Sequence, residues 1–208
     1  MSTLLHISAS PRGANSESLA IASTFLDVYR ETHPEDRVEH FDLWDGSLPS
    51  FGPDAAAAKM AVFAGADPRG AQARAWRDAI ETFRRVDSAD RYLFSVPMWN
   101  AGIPYILKQF IDVISQPGLV FGFDPDLGYT GLLRGKKAGV VYTSAVYGPG
   151  RGPSFGVDFQ QPYFNDWLHW AGIDDVTEIS FRPNLATLEA EVGRAAAHAS
   201  ARDAAKRF

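Results

Sequence analysis

Short apolar runs alternate along this chain with longer segments of helical period, and that alternation is the pattern of parallel β-α-β units. Thr3–Ser8 (TLLHIS) reads as a first strand. Residues 16–31 follow with Leu19, Ala20, Phe25, Leu26, Val28 and Tyr29 at helical spacing, which predicts a helix. Residues 38–43 read as the second strand and 44–53 as a loop rich in Gly, Pro and Ser. The alanine run 55–58 opens a short helix, 65–70 breaks it, and 71–86 reads as another helix. Residues 91–96 (RYLFSV) form the third strand, closed by Pro97; 103–115 is then helical, with Pro104 accommodated in the first turn. Residues 116–133 place glycines and prolines between aromatic and aliphatic side chains, an irregular excursion for which a hairpin is one form. Residues 138–143 (AGVVYT) are the fourth strand, 144–156 a glycine-rich loop and 158–170 a helix. Asp175–Phe181 is the fifth strand and 185–206 a closing helix rich in alanine. The expectation is one α/β domain over residues 1–208, with helices on both faces of a five-stranded sheet.

Composition narrows the function classes. Apolar residues make up 46% of 208, enough for one buried core. Twenty Lys and Arg against 25 Asp and Glu leave a net charge of −5, which gives no electrostatic reason to expect nucleic acid or an anionic membrane as partner. The chain has no cysteine, so disulfides, thiolate metal sites and cysteine nucleophiles are excluded. Met1-Ser2-Thr3-Leu4-Leu5-His6 lacks the basic and apolar regions of a signal peptide, and no stretch approaches the roughly 20 apolar residues of a membrane span. A cytoplasmic location is expected.

In an open parallel sheet, ligands bind beyond the carboxyl ends of the strands. Three loops leave such ends, at 8–18, 97–102 and 144–152. The first, SASPRGANSES, offers the hydroxyls of Ser8, Ser10, Ser16 and Ser18, and Asn15 or Ser16 can cap the helix that follows. The free amides and partial positive charge of that helix start suit a phosphate, although a serine-rich turn with an N-cap needs no ligand. The loop is neither a Walker loop nor a Gly-x-Gly-x-x-Gly loop. What remains fits a monophosphate held by hydroxyls and amides without a dedicated cation. In the second loop, Pro97-Met98-Trp99-Asn100-Ala101-Gly102, strand-exit amides can face the edge of a flat heterocycle while Met98 and Trp99 shield one of its faces. Trp99 as an ordinary packed aromatic is the competing reading.

With its Ser-x-Ser loop, the run PMWNAGIPYILKQFIDVISQPGLVFGF (97–123) and GKKAGVVYTS (135–144), the chain resembles the FMN-dependent NADH azoreductase family, flavodoxin-fold relatives of the quinone reductases. The resemblance runs from the first strand to about Arg182. It implies a flavodoxin-like three-layer sandwich, with a five-stranded parallel sheet in the order 2-1-3-4-5. It implies tightly bound FMN, with NADH or NADPH as co-substrate. Ser10, Ser16, Glu17 and Ser18 fall on phosphate-binding positions, and Met98, Trp99, Asn100 and Ala101 on the segment lining the flavin ring. Ser144, Ala145, Val146 and Tyr147 fall where the family usually has Ser-Arg-Gly-Gly; only the serine matches, and Tyr147, Tyr142 or Arg151 are the candidates to compensate. The resemblance further implies reduction of quinones and aromatic azo compounds by ping-pong hydride transfer, in a homodimer with its sites at the interface. No side chain is assigned as catalytic with certainty, because flavin N5 carries the hydride; the proton for the acceptor comes from water, Tyr147 or Asn100. Phe121, Phe123 and Tyr129 suit a lid or subunit interface, or equally a satellite cluster under a long loop.

Other patterns compete. Gly152-Pro153-Ser154-Phe155-Gly156 matches the hydrolase nucleophile elbow, and Asp174 or Asp175 and His198 follow in order, but the elbow needs a strand running straight into the serine. Chance occurrence in a glycine-rich loop is the expected explanation, leaving a serine hydrolase through Ser154 as a remote alternative. A flavodoxin-type electron carrier is the main rival, against which the bulk of 44–70 and 116–133 argues. His6, His33, His40, His169 and His198 lack metal-ligand spacing, so no metal is expected. Gly148-Pro149-Gly150-Arg151-Gly152 reads as a mobile surface loop closing over substrate rather than a phosphate cradle.

Overall fold

A computed structural model of the chain describes residues 1–185 and 187–208. In chain order the elements are β1 (Thr3–Ser8), α1 (Glu17–Thr32), β2 (Arg37–Asp42), α2 (Pro53–Phe63), α3 (Ala71–Asp87), β3 (Arg91–Pro97) and α4 (Tyr105–Ile114). They continue with β4 (Phe121–Asp124), β5 (Gly128–Gly131), β6 (Lys137–Thr143), α5 (Gln161–Ala171), β7 (Asp175–Phe181) and α6 (Ala190–Arg207). Five strands form a parallel sheet in the order β2-β1-β3-β6-β7. Since β4 and β5 pair only with each other, this is the expected 2-1-3-4-5 order.

The central strands are apolar at successive positions because both faces are covered, as parallel sheets require. In β3, Tyr92 and Phe94 pack with α3, α4 and α5, while Leu93 points to α1 and α6. In β6, Val140 and Tyr142 face the first of these layers and Val141 the second. The edge strands β2 and β7 are buried only in part, at Phe41 in β2 and at Ile179 and Phe181 in β7.

Three helices start later than their sequence period suggests, each for a local reason. Pro104 does not sit inside the helix expected over 103–115; it holds an extended ψ of 142° at the N-cap, and α4 begins after it. The helix expected over 158–170 starts at Gln161, because the Asp158 carboxylate accepts the amides of Gln160 and Gln161, each at 3.0 Å, and draws the chain into a turn first. The helix expected over 185–206 starts at Ala190, after Thr187 Oγ1 accepts the Glu189 N–H at 3.2 Å; Ala186, in the same expectation, lies outside the described residues.

The excursion is a hairpin, β4–β5, docked on the end of α5. There Phe121 is buried against Trp170, with ring centroids 4.8 Å apart, and Phe123 and Tyr129 continue the cluster. Because α5 runs antiparallel to the strands, its last turn lies at the edge where β6 and β7 begin. The hairpin is therefore a satellite cluster remote from the strand-exit loops, and within one chain it forms no lid over them. Gly131 makes the docking possible: a Cβ there would lie 2.3 Å from the Gly172 backbone nitrogen. We expect Gly131→Ala to destabilise the protein by about 1–3 kcal/mol. Gly122→Ala, whose Cβ would meet nothing closer than 3.9 Å, is the control. Thermal unfolding of the pair checks this, and equal melting temperatures would contradict it.

Candidate functional site

Ser8 of β1 lies opposite Ser95 of β3, and Pro97 of β3 opposite Thr143 of β6, so three strands hand over to their loops at nearly one level. After β1, residues Gly13–Asn15 make one 3-10 turn, and Ser16 caps α1 by accepting the Leu19 N–H at 3.3 Å. The Ser18 hydroxyl, fully buried, pairs with that of Ser16 at 3.0 Å and fixes its direction. Ser10 Oγ accepts the Arg12 amide at 3.4 Å. The amides of Glu17 and Ser18, in the first turn of α1, have no intrahelical acceptor.

After β3 the chain makes a two-residue turn. Trp99 and Gly102 exchange backbone hydrogen bonds of 2.9 and 3.0 Å around Asn100 at φ +48° and Ala101 at φ +69°. Both central residues are left-handed, the geometry of a type I′ turn, which asparagine tolerates and alanine does not favour. Three bonds hold the turn open to the cavity. The Met98 N–H donates to the Thr143 carbonyl at 2.7 Å, the Phe159 N–H to the Ala101 carbonyl at 2.9 Å, and buried Gln160 Nε2 to the Val96 carbonyl at 2.7 Å. Backbone strain of this kind collects at functional sites, and it costs of order 1–3 kcal/mol per residue. Ala101→Val, which puts a β-branched side chain at positive φ, is expected to lose about that much stability, whereas Ala101→Gly loses none; urea unfolding of the two variants tests this.

The third loop is fastened by the segment leaving β7. The Asn184 N–H donates to the Ser144 carbonyl at 2.8 Å and the Leu185 N–H to Ala145 at 3.1 Å. Gly148 lies against Pro183, where a Cβ would come within 2.5 Å of the ring. The Ser144 hydroxyl donates to the Tyr147 carbonyl, closing the loop on itself.

Together these loops enclose a cavity of about 370 Å³ lined by Ser10, Arg12, Ser16, Glu17, Met98, Trp99, Asn100, Ser144 and Ala145, with Pro97, Thr143, Asn184 and Leu185. A contiguous recess of about 190 Å³ adds Ala101, Val146, Tyr147, Phe155 and Val157. Of the twelve residues singled out in the sequence, eleven therefore line one of these two spaces, and Ser18 supports Ser16 from beneath. Beyond Trp99 lies an apolar recess of about 410 Å³ between Trp44, Ile103 and Tyr105. Sequence reasoning missed Arg12, a cation that lines the cavity beside the serine hydroxyls. It also missed Phe155 and Val157, and Asn184 and Leu185, which reach the site only through the β6–β7 pairing. The SPRG turn was the available signal for Arg12.

The cavity suits a flavin mononucleotide at both ends. One end has hydroxyls, a guanidinium and free helix amides for a phosphate; the other has strand-exit backbone with Met98, Trp99 and Val146 for a flat ring. Ser154 stands exposed on a 3-10 turn, Pro153–Phe155, while His198 bonds Thr24 at 2.7 Å where α6 meets α1. They do not form a hydrolytic pair. Among the described residues no cluster of three or more His, Asp or Glu side chains could hold a metal, and no helix is long and apolar enough to cross a membrane.

Beneath the first loop runs a relay whose outer groups, Arg30 and His40, are exposed and whose inner ones, His6 and Ser95, are buried. Arg30 carries only donors, so His40 Nε2, 3.3 Å away, must accept. With neutral rings, His40 Nδ1–H then donates to His6 Nδ1 at 3.2 Å, His6 Nε2–H to Ser95 Oγ at 2.8 Å, and Ser95 O–H to the Ser18 carbonyl at 3.4 Å. Burial, then the neighbouring His40 and Arg30, lowers the His6 pKa from 6.5 to about 3. The unfolded chain thus binds a proton that the folded chain refuses, and stability falls as pH drops below 6.5, by at most about 1.4 kcal/mol per unit. His6→Gln should flatten that fall by about one proton between pH 6.5 and 4; urea titrations across the range measure it, and unchanged slopes would contradict the relay.

The fold and this cleft define a flavodoxin-type protein: the chain belongs to the family described as having a flavodoxin-like fold, which matches residues 2–206. It is 46% identical over 193 residues to an FMN-dependent NADH:quinone oxidoreductase of Ruegeria pomeroyi, covering 93% of this chain and 95% of that one. A protein of the same name from Desulfotalea psychrophila is 41% identical over 186 residues, 89% of this chain and 87% of the relative. A solved structure of an azoreductase from Bacillus anthracis superposes with a TM-score of 0.91 at 26% identity, each chain covered fully.

Proposed function

We propose that this chain is an FMN-dependent NADH:quinone oxidoreductase that also reduces aromatic azo compounds, with residues 1–208 acting as one FMN-binding domain. The observation that carries the reading is the convergence of the α1 start, the Met98–Ala101 turn and the 144–147 loop on one cavity, in a chain so similar over nearly its whole length to an enzyme of that name. Ser10, Arg12, Ser16 and the amides of Glu17 and Ser18 hold the phosphate. Met98, Trp99, Asn100 and Ala101 line one side of the ring, and Ser144, Ala145, Val146 and Tyr147 the other. FMN, when bound, supplies the hydride chemistry that links reduced nicotinamide to the acceptor, and the protein supplies binding, orientation and exclusion of water.

The strained turn presents backbone and the Asn100 amide at a fixed height beside the ring site, so orientation needs no rearrangement on binding. Val146, Phe155 and Val157 make the outer recess apolar, which suits a flat oxidant and keeps bulk water off it. One recess serves nicotinamide and acceptor in turn, a ping-pong order in which NAD leaves before quinone or azo compound arrives. Tyr147 is the phenol lining that recess, and with water and the Asn100 amide it is the source of the acceptor's proton. NADH is the expected co-substrate, in the cytoplasm where it is made, with NADPH the alternative. Exposed Trp99 and Tyr105 at the mouth support a homodimer with the site at its interface.

The purified protein is expected to be yellow, to bleach within seconds of adding NADH without oxygen, and to recover its colour on adding a quinone. Colour without bleaching would assign an electron carrier, and a colourless protein that FMN does not restore would overturn the reading.

A further inference from the structure

The phosphate end of the cavity contains a carboxylate. Glu17 occupies the first turn of α1, where a negative charge suits the helix dipole, and it lines the cavity. The same charge opposes any anion held by that turn and offsets the positive charge of Arg12, which lines the same cavity. Arg194 of α6 meets it. Its Nε lies 3.2 Å and its Nη2 2.8 Å from the Glu17 carboxylate oxygens, while its Nη1 donates to Glu191. Side chains from opposite ends of the chain are thereby joined at the mouth of the site, where Arg194 is 32% and Glu17 24% exposed. Arg194 itself does not line the cavity.

We propose that Arg194 is a positioning residue that makes the site selective for a phosphorylated flavin over the phosphate-free form. By holding the Glu17 carboxylate through a two-nitrogen contact, it neutralises that charge and turns its oxygens toward α6. Arg12 and the α1 amides are then left as the net positive field seen by a dianionic phosphate. The hydrogen bonds to Glu17, then to Glu191, raise the Arg194 pKa further above its already high value, so the charge is present at every working pH. The inference rests on the FMN reading, and it concerns the phosphate end alone.

The test follows flavin release on dilution of the loaded protein, read as the return of free-flavin fluorescence, with FMN or riboflavin as the probe. Arg194→Met should weaken FMN about tenfold or more, the loss of one charge pair beside a bound dianion, and leave riboflavin within about twofold, which also shows that the site is folded. Glu17→Gln in the Arg194→Met background should recover FMN binding, and Arg194→Lys should recover part of it. Equal weakening of both flavins would assign Arg194 a merely structural role and overturn the proposal, as would unchanged FMN binding or a double variant no better than the single one. A wild-type protein that holds neither flavin would instead overturn the cofactor reading, and this inference with it.

Discussion

Ser8 faces Ser95 and Pro97 faces Thr143 across a parallel sheet whose central strands are buried on both sides, and every feature of the site hangs from that register. Because side chains alternate with a period of two, a slip of one residue in β3 would send Tyr92 and Phe94 toward α1 and α6, and Leu93 the other way. The two cores differ in the volumes they accept: one is built of Phe110, Phe164 and Trp167, the other of alanines from α6 around Phe25 and Tyr29. Packing therefore fixes the level at which the three loops depart. Ligand-binding backbone inherits its precision from hydrophobic contacts far from any ligand.

The middle loop draws most on this rigidity. Two non-glycine residues in the left-handed region persist only where the surroundings over-determine them. Here the determinants are three hydrogen bonds to neighbours that are themselves anchored: Thr143 at the end of β6, Gln160 buried before α5, and Phe159 held by the same entry to α5. Asp158 fixes that entry, and Arg182, at 2.7 Å, fixes Asp158. A buried ion pair of this kind is weak evidence for net stability, yet it defines where the helix starts and so where the turn is held.

Hydrophobic period made the five strands and α1 legible in the sequence, because those patterns are local and repeat over six or more residues; the sheet order followed from the family resemblance, since strand order is not a local pattern. The loops 10–18, 98–101 and 144–147 were legible by position, since strand-exit loops of a parallel sheet gather at one edge whatever their composition. The starts of α4, α5 and α6 were not: Pro104, Asp158 and Thr187 delay these helices through hydrogen bonding or fixed ψ at single residues, and period averages over these, whereas α3 starts at Ala71 as its period suggests. Asn184, Leu185, Phe155 and Val157 were illegible for another reason. Asn184 and Leu185 enter the site through hydrogen bonds between the β6 and β7 exits, and Phe155 and Val157 lie in the stretch that the Phe159 N–H ties to Ala101, contacts that sequence spacing does not encode. Arg12 was visible and misjudged, because a guanidinium's value depends on which way a turn aims it.

Residues 144–147 read Ser-Ala-Val-Tyr where the family that the chain resembles usually carries Ser-Arg-Gly-Gly, and the difference removes a cation from this loop. An arginine at 145 would place a cation in the recess, and neither Arg151 nor Arg182 lines it. Arg182 lies 5.6 Å from the Tyr147 ring centroid but is spent on Asp158, Gln161 and Ser180, its side chain only 4% exposed. Arg151 lies over the Phe155 ring at 4.8 Å and donates to the Val146 carbonyl at 3.0 Å, bracing the wall of the recess from outside. The recess around 145–147 is thus hydrocarbon with a few neutral polar groups, and among the described residues the cation lining the adjoining cavity is Arg12. That polarity fits a ligand anionic at one terminus and flat and uncharged at the other. With no cation among the described residues lining it, the recess gains nothing from an anionic substituent and most from a neutral planar group.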